Sequence, residues 1–216
     1  VDPIATTAAD GTFTIGGYLG GETVWLRYAG SATPRIQNED PDQPSEYELS
    51  FQLQTGASNS IVMNPAPTEA VTAQANAYYW ITRMRDWISA TNPTDGVWDL
   101  FAPGEPNVHV NIFTAEVQCN AYTNPMLLTR SDNINCQSCC AGNPTCTNHA
   151  SASIIAHETG HNLHFLYYGG GSDWESFQEW LADVFALYLT DQPIDGEGLC
   201  LCAPSCGSRT GENARR

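Results

Sequence analysis

The chain has 216 residues, enough for one domain of ordinary size, and 42% of them are hydrophobic, which suffices to fill a core. Eight basic residues stand against 24 acidic ones, so the formal net charge is −16 and the chain repels phosphate backbones, which disfavours nucleic-acid binding. No apolar run is long enough to span a bilayer, which disfavours a membrane protein.

Residues 1–65 predict a small β-rich N-terminal region. The segments 11–15 and 23–28 are β-branched and aromatic runs bounded by glycines, a pattern typical of strands. From 47 to 53, hydrophobic residues alternate with polar ones, which is the period of a half-buried strand. Residues 37–46 between these segments predict an acidic, proline-containing loop.

Residues 66–216 predict a second region of mixed helices and strands, and the fold class is therefore α+β. Hydrophobic residues at helical spacing predict a helix over about 68–89, which Asn92-Pro93 ends. A strand is expected at 108–113. Two further helices, over about 150–168 and 173–189, are separated by three glycines.

The cysteines are even in number and cluster in two stretches rich in Gly, Pro, Ser and Asn, which predicts disulfides and hence a secreted protein. The alternative is a structural zinc site built on Cys136-x-x-Cys139 and Cys202-x-x-x-Cys206; no repeated zinc knuckle accompanies these cysteines, so disulfides are favoured. The eight are Cys119, Cys136, Cys139, Cys140, Cys146, Cys200, Cys202 and Cys206.

The first of the two predicted C-terminal helices contains an HExxH motif, from His157 to His161. Residues four apart lie one turn above each other, so both imidazoles can reach one Zn²⁺ ion. Glu158 is rotated away from the ligands and can act as the general base. The alternative interpretation is a polar helix face with two solvated histidines.

A catalytic zinc needs a third protein ligand. The metzincin pattern would place Gly at position 164 and His at 167, but the chain has His164 and Tyr167 there, so that branch is excluded. His164 is interpreted as a packed residue rather than a ligand. The third ligand is therefore expected on the helix that follows.

That helix offers three acidic residues. Ser172-x-x-Glu175 matches a capping box, which accounts for Glu175. We therefore predict Glu179 as the metal ligand and Asp183, one turn later, as the acceptor of a hydrogen bond from a ligating histidine. Helical spacing predicts that the core stripe of this helix is formed by Phe177, Leu181, Val184, Phe185 and Tyr188.

HExxH followed 18 positions after His161 by Glu179-x-x-x-Asp183 resembles the gluzincins, the thermolysin-like class of zinc peptidases. Upstream, Asn120-Ala121-Tyr122 is similar to the segment with which that class holds substrate backbone. The segments 76–80 and 84–87 resemble a helix of the fungalysin-like relatives.

The resemblance implies a secreted endopeptidase with a zincin-type catalytic lobe, whose partner is a peptide or protein substrate rather than nucleic acid or membrane. One catalytic Zn²⁺ would be held by His157, His161 and Glu179, with Glu158 as the base. Asn120 and Ala121 would bind substrate. In the family a helical second lobe follows, and here it is expected to be absent or short, so that the core is truncated at the C-terminus.

Several alternatives stay open. A non-catalytic zinc-containing binding module, or a truncated peptidase fragment without turnover, has the same motif. Calcium binding by the acidic loops is a further alternative. Gly160, which is unfavourable inside a helix, predicts the close approach of another backbone. The tryptophans Trp25, Trp80, Trp87 and Trp98 are predicted to be core residues rather than a sugar-binding platform.

Overall fold

The computed structural model describes residues 5, 12–28, 34–56, 58–96, 104–112, 120–123, 126–129, 148–169, 175–192, 194–195 and 209–210. Within these residues the fold is mixed α/β, with three helices and small sheets, which agrees with the predicted α+β class. The strands are β1 (Thr23–Arg27), β2 (Pro34–Asn38), β3 (Glu48–Gln52), β4 (Gly104–Ile112), β5 (Ala121–Tyr122), β6 (Met126–Thr129), β7 (Ile194–Asp195) and β8 (Arg209–Thr210). The helices are α1 (Glu69–Thr91), α2 (Ala152–Tyr168) and α3 (Glu175–Thr190).

A four-stranded sheet in the order β2-β4-β6-β5 supports the helices. β2, β4 and β6 are parallel, and the short edge strand β5 is antiparallel to β6. Buried residues of α1, α2 and the sheet form a shared core, which includes Ala77, Ile81, Val108, Val110, Met126, Leu128 and Ile155. β2 lies before residue 65 in sequence, yet its hydrogen bonds to β4 make it part of this sheet.

A separate two-stranded antiparallel ribbon contains β1 and β3, the strands predicted at 23–28 and 47–53. The strand predicted at 11–15 is wrong over its described residues, because 12–15 have no strand structure. Gly17 and Gly20 follow with φ of 85° and 97°, a conformation that turns the chain instead of extending a strand.

α1 confirms the helix predicted over 68–89. Thr68 caps its start, since its hydroxyl oxygen accepts a hydrogen bond from the backbone N–H of Val71 at 3.3 Å. The backbone N–H of Asn92 bonds to Ile88 at the other end, immediately before Pro93. The buried face recurs at helical spacing and comprises Ala70, Ala73, Gln74, Ala77, Ile81, Met84 and Ile88.

α2 and α3 pack closely at small residues. A Cβ atom added to Gly160 would lie 2.8 Å from the Cα atom of Ala182, so the two backbones approach too closely for any side chain at this position. This confirms the close approach predicted from Gly160. The fully buried Ala182 and Ala186 continue the contact along α3.

The predicted core stripe of α3 is wrong for Tyr188, which is 75% exposed. Phe177, Leu181, Val184 and Phe185 are half-buried, and Phe185 packs against the core. The buried residues among those described in α3 are Ala182, Asp183, Ala186 and Leu189. The closest contact with α2 is built on small residues, so most of the larger side chains are less buried than helical spacing alone predicts.

Among the described residues, no helix is both long and apolar enough to cross a membrane.

Tyr28 ties the ribbon to α1. Its ring lies 5.3 Å from that of Tyr78 on α1 and 6.0 Å from that of Tyr47, which precedes β3. Burial, with a smaller contribution from Tyr47, raises the pKa of the Tyr28 phenol to about 12 from an ordinary 10.0.

This shift predicts a stability change at alkaline pH. The neutral phenol of folded Tyr28 stabilises the fold fully below pH 10, and this contribution is lost as the pH rises from 10 towards 12. We expect the free energy of unfolding, measured in urea at a series of pH values, to fall less over this interval in Tyr28→Phe than in the wild type. Parallel curves for the two proteins would contradict the assignment.

Gly160→Ala should destabilise the fold by about 1–3 kcal/mol, because the added methyl group meets backbone atoms of α3. This loss should exceed the gain of roughly 1 kcal/mol that alanine normally brings to a helix interior. Gly16→Ala is the matched control, since no atom lies within 4 Å of the added methyl group. Urea unfolding measures both, and a stabilised Gly160→Ala variant would show that the helices are not in close contact.

Candidate metal centre

The two histidines of the HExxH motif lie on one face of α2 and are buried, each with 7% of its surface exposed. Their Nε2 atoms are 3.0 Å apart and their rings are nearly perpendicular, with centroids separated by 4.7 Å. Two ring nitrogens this close can direct their lone pairs at one metal ion. Both imidazoles must then be neutral, because a protonated nitrogen has no lone pair to donate.

Glu179 brings a carboxylate from α3 to the same point. Its Oε1 atom lies 3.4 Å from Nε2 of His161, and its Oε2 atom lies 3.5 Å from Nε2 of His157. The three residues therefore form a group that could hold a metal ion. The side chain of Glu179 is 43% exposed, so the group is accessible from the solvent side.

The separations of the candidate ligand atoms are close to those of a site with short metal–ligand bonds. With bonds of about 2.0–2.2 Å, two ligand atoms of a tetrahedral zinc site lie roughly 3.3–3.6 Å apart. Glu179 makes its two contacts at 3.4 and 3.5 Å through different carboxylate oxygens, and the two Nε2 atoms are 3.0 Å apart. The three side chains would therefore have to adjust before one oxygen and both Nε2 atoms could hold the same ion.

Asp183 lies behind His157. Its Oδ1 atom is 2.9 Å from Nδ1 of His157, and both side chains are more than nine-tenths buried. The two atoms are thus within the distance of a hydrogen bond, and both groups are largely removed from solvent. A carboxylate at Nδ1 favours the tautomer with its proton on that nitrogen, which leaves Nε2 free to bind a metal ion.

Glu158 is buried beside the histidines at 7% exposure. Its backbone carbonyl accepts a hydrogen bond from the hydroxyl of Thr123 at 3.1 Å. Thr123 directly follows the edge strand β5, whose Ala121 is buried, and Asn120 before it is exposed. The structure thus brings the predicted substrate-binding segment next to the helix that carries the predicted base.

The start of α2 is held by asparagine side chains that sequence reasoning missed. Asn148 bonds to the backbone N–H of Ala150 at 2.8 Å, and its amide donates to Oδ1 of Asn111 at 3.1 Å. Asn111, 1% exposed, donates in turn to Asn38 at 2.7 Å. Asn76 on α1 donates to the carbonyl of Ala150 at 3.0 Å.

One signal in the sequence could have identified Asn111. It lies between the apolar Val110 and Ile112 of strand β4. In the structure it has a φ of 59°, a conformation that asparagine tolerates better than most other residues with a side chain.

The remaining histidines lie outside the metal-binding group. His164 is buried among the rings of Tyr168 and Phe177, at 5.3 and 6.0 Å, as predicted for a packed residue. Burial and, less strongly, His161 lower the pKa of His164. His149 is buried just before α2, and Nδ1 of His109 lies 2.5 Å from Oε1 of Glu39.

Tyr167 anchors the end of α2. Its hydroxyl donates a hydrogen bond to Oδ2 of Asp95 at 2.5 Å. Burial and this bond raise the pKa of the Tyr167 phenol. Its phenol is thus occupied by a contact with the segment after α1.

The eight cysteines, Ser172 and the side chain of Glu175 lie outside the described residues, as does the sequence after 210.

Comparison of the chain with family models, curated proteins and solved structures finds no match to any of them.

Metal titration of three variants tests the site. Glu179→Ala should lower zinc affinity by more than about 100-fold, because a direct ligand is lost, and Asp183→Ala should lower it by roughly 10–100-fold through the misoriented His157. Asp86→Ala, which removes an exposed carboxylate from α1, is the control and should leave affinity unchanged. Wild-type affinity in Glu179→Ala would show that the carboxylate is not a ligand.

Proposed function

We propose that this chain is a zinc-dependent endopeptidase of the gluzincin type. The observation that carries the proposal is the convergence of His157, His161 and Glu179, whose candidate ligand atoms all lie within 4.8 Å of one another. Two imidazoles and one carboxylate are a ligand set of catalytic zinc sites that retain an open fourth position. Calcium and magnesium prefer all-oxygen sites, which makes them poor candidates for this group.

When bound, zinc would polarise a scissile carbonyl and lower the pKa of a water molecule at the open position. Glu158 lies next to the ligand His157 in sequence and is buried, so its carboxylate acts in a region of low dielectric constant. We assign to it the removal of a proton from that water and the delivery of the proton to the leaving amine. Asp183 holds the His157 ring in its ligating tautomer.

The edge strand β5 is the proposed substrate-binding element. It pairs with β6 on one side, and its other edge has no strand partner among the described residues. An extended peptide can add to such an edge through backbone hydrogen bonds. The bond between Thr123 and Glu158 ties this edge to α2, so a peptide bound there would lie near the proposed base.

Secretion is part of the proposal and rests on the cysteine content, which predicts disulfides. The competing function is a zinc-containing binding module without turnover. Both proteins would bind zinc, so only cleavage of a peptide distinguishes them.

Glu158→Gln should keep stoichiometric zinc while peptide hydrolysis falls by about two orders of magnitude or more, because the general base is lost and no ligand is removed. Zinc content and turnover of a fluorogenic peptide measure the two effects. Glu46→Gln, at an exposed acid in the loop before β3, is the control. If the wild-type chain binds zinc and cleaves no peptide or protein, the binding-module function is the correct one.

Asn120→Ala should raise the KM for a long peptide with little change in zinc content, because the exposed side chain is assigned to the substrate backbone. We expect an effect of roughly 1 kcal/mol, about a fivefold change, for one lost hydrogen bond. Gln43→Ala removes an exposed amide elsewhere and serves as the control. Steady-state kinetics indistinguishable from wild type would remove Asn120 from the substrate site.

A further inference from the structure

The outward face of the β1–β3 ribbon presents an exposed tryptophan. Trp25 was predicted to be a core residue, but 58% of its surface is exposed. Side chains alternate along both strands, and only one side of the ribbon is turned inwards. The exposed side, called here the ribbon face, consists of Thr23, Trp25, Arg27, Glu48, Ser50 and Gln52.

The pairing of β1 with β3 places side chains that can form hydrogen bonds around Trp25. Ser50 lies directly across from it, the pair Thr23 and Gln52 flanks it on one side, and the pair Arg27 and Glu48 flanks it on the other. Directly opposed residues have Cβ atoms about 4.5–5.5 Å apart, so these groups lie within reach of a ligand on the indole. The ribbon face is therefore one flat aromatic surface with polar groups at its edges.

A groove extends from this face. It has a volume of about 340 Å³ and is lined by Arg27 and residues 44–48. This volume lies at the lower end of the range of small-molecule sites. Arg27 and Glu48 belong to both the groove and the ribbon face, so the two surfaces are continuous.

Each charged residue that lines the groove has an ion-pair partner, and for Glu46 this partner is Arg35, which lies outside the lining. Arg27 lies 3.5 Å from Glu48, and Arg35 lies 3.8 Å from Glu46. Two of the eight basic residues thus pair with two glutamates around the groove, in a chain of net charge −16. A locally neutral surface favours an uncharged ligand over a basic or acidic one.

We propose that the ribbon face and its groove bind a neutral oligosaccharide. One pyranose ring would stack on Trp25, because the weakly positive C–H groups of a sugar face suit the electron-rich face of an indole. The next sugar would occupy the groove, where Arg27 and Glu48 can bond to its hydroxyls. A protein partner fits less well, since a single apolar residue among six does not make an apolar interface core.

Calorimetric titration of the full chain with neutral tetrasaccharides of glucose, mannose and N-acetylglucosamine tests the proposal. At least one should bind, and Trp25→Ala should weaken that binding by about tenfold, as expected for loss of a stacking contact. Trp25→Phe should retain part of the affinity. Tyr188→Ala, at an aromatic residue on α3 that is 75% exposed, should bind like the wild type.

Zinc content and peptide cleavage should be the same in Trp25→Ala and the wild type, so this site is tested separately from the proposed peptidase. Should Trp25→Ala not fold, Trp25→Phe and Gln52→Ala carry the test, and both should weaken binding. The proposal is overturned if none of the three sugars binds at about 10 mM, or if binding is unchanged in every ribbon-face variant.

Discussion

The contact of Gly160 with Ala182 determines where the acids of α3 lie relative to the histidines of α2. At this point the two backbones are too close for a side chain, so the register of α3 along α2 cannot slide without a clash. Glu179 and Asp183, on either side of Ala182, are consequently directed at the same histidine from two sides. A carboxylate side chain is short, and a wider helix pair would place Glu179 out of reach of both imidazoles.

The helix with the histidines is held at three points along its length. Asparagine amides position its start, the close packing against α3 holds its middle, and Tyr167 attaches its end to Asp95. Such rigidity would suit the proposed metal ligands and general base, which would have to keep their geometry to within a fraction of an ångström.

The sequence predicts the helices well because long amphipathic segments with proline and glycine boundaries leave few alternatives. It also predicts the members of the metal-binding group, since a spacing of four within a helix brings His157 and His161 together whatever surrounds them. The buried face of α3 is not predictable in the same way. Hydrophobicity favours Phe177 and Tyr188 as core residues, but helix packing selects the small Ala182 and Ala186.

Two other features depend on tertiary structure that local patterns do not contain. β2 is rich in polar residues and begins with a proline, so its membership of the sheet follows from its pairing with β4 and not from its own sequence. Trp25 is large and apolar, as core residues usually are, and only its place on the outer side of the ribbon exposes it. Asn111 similarly acquires its buried position from partners distant in sequence, among them Asn38.

The pairing of β2 with β4 has a consequence for how the chain folds. Asn38 and Asn111 meet across 73 positions of sequence, so the sheet cannot be completed by local contacts. Loops of this length close slowly, and until then β4 presents an open edge capable of pairing with another chain. Pairing with β2 moves this edge of the sheet from β4 to a short strand that is rich in polar residues and begins with a proline, and such an edge is less prone to pair with another copy of the chain.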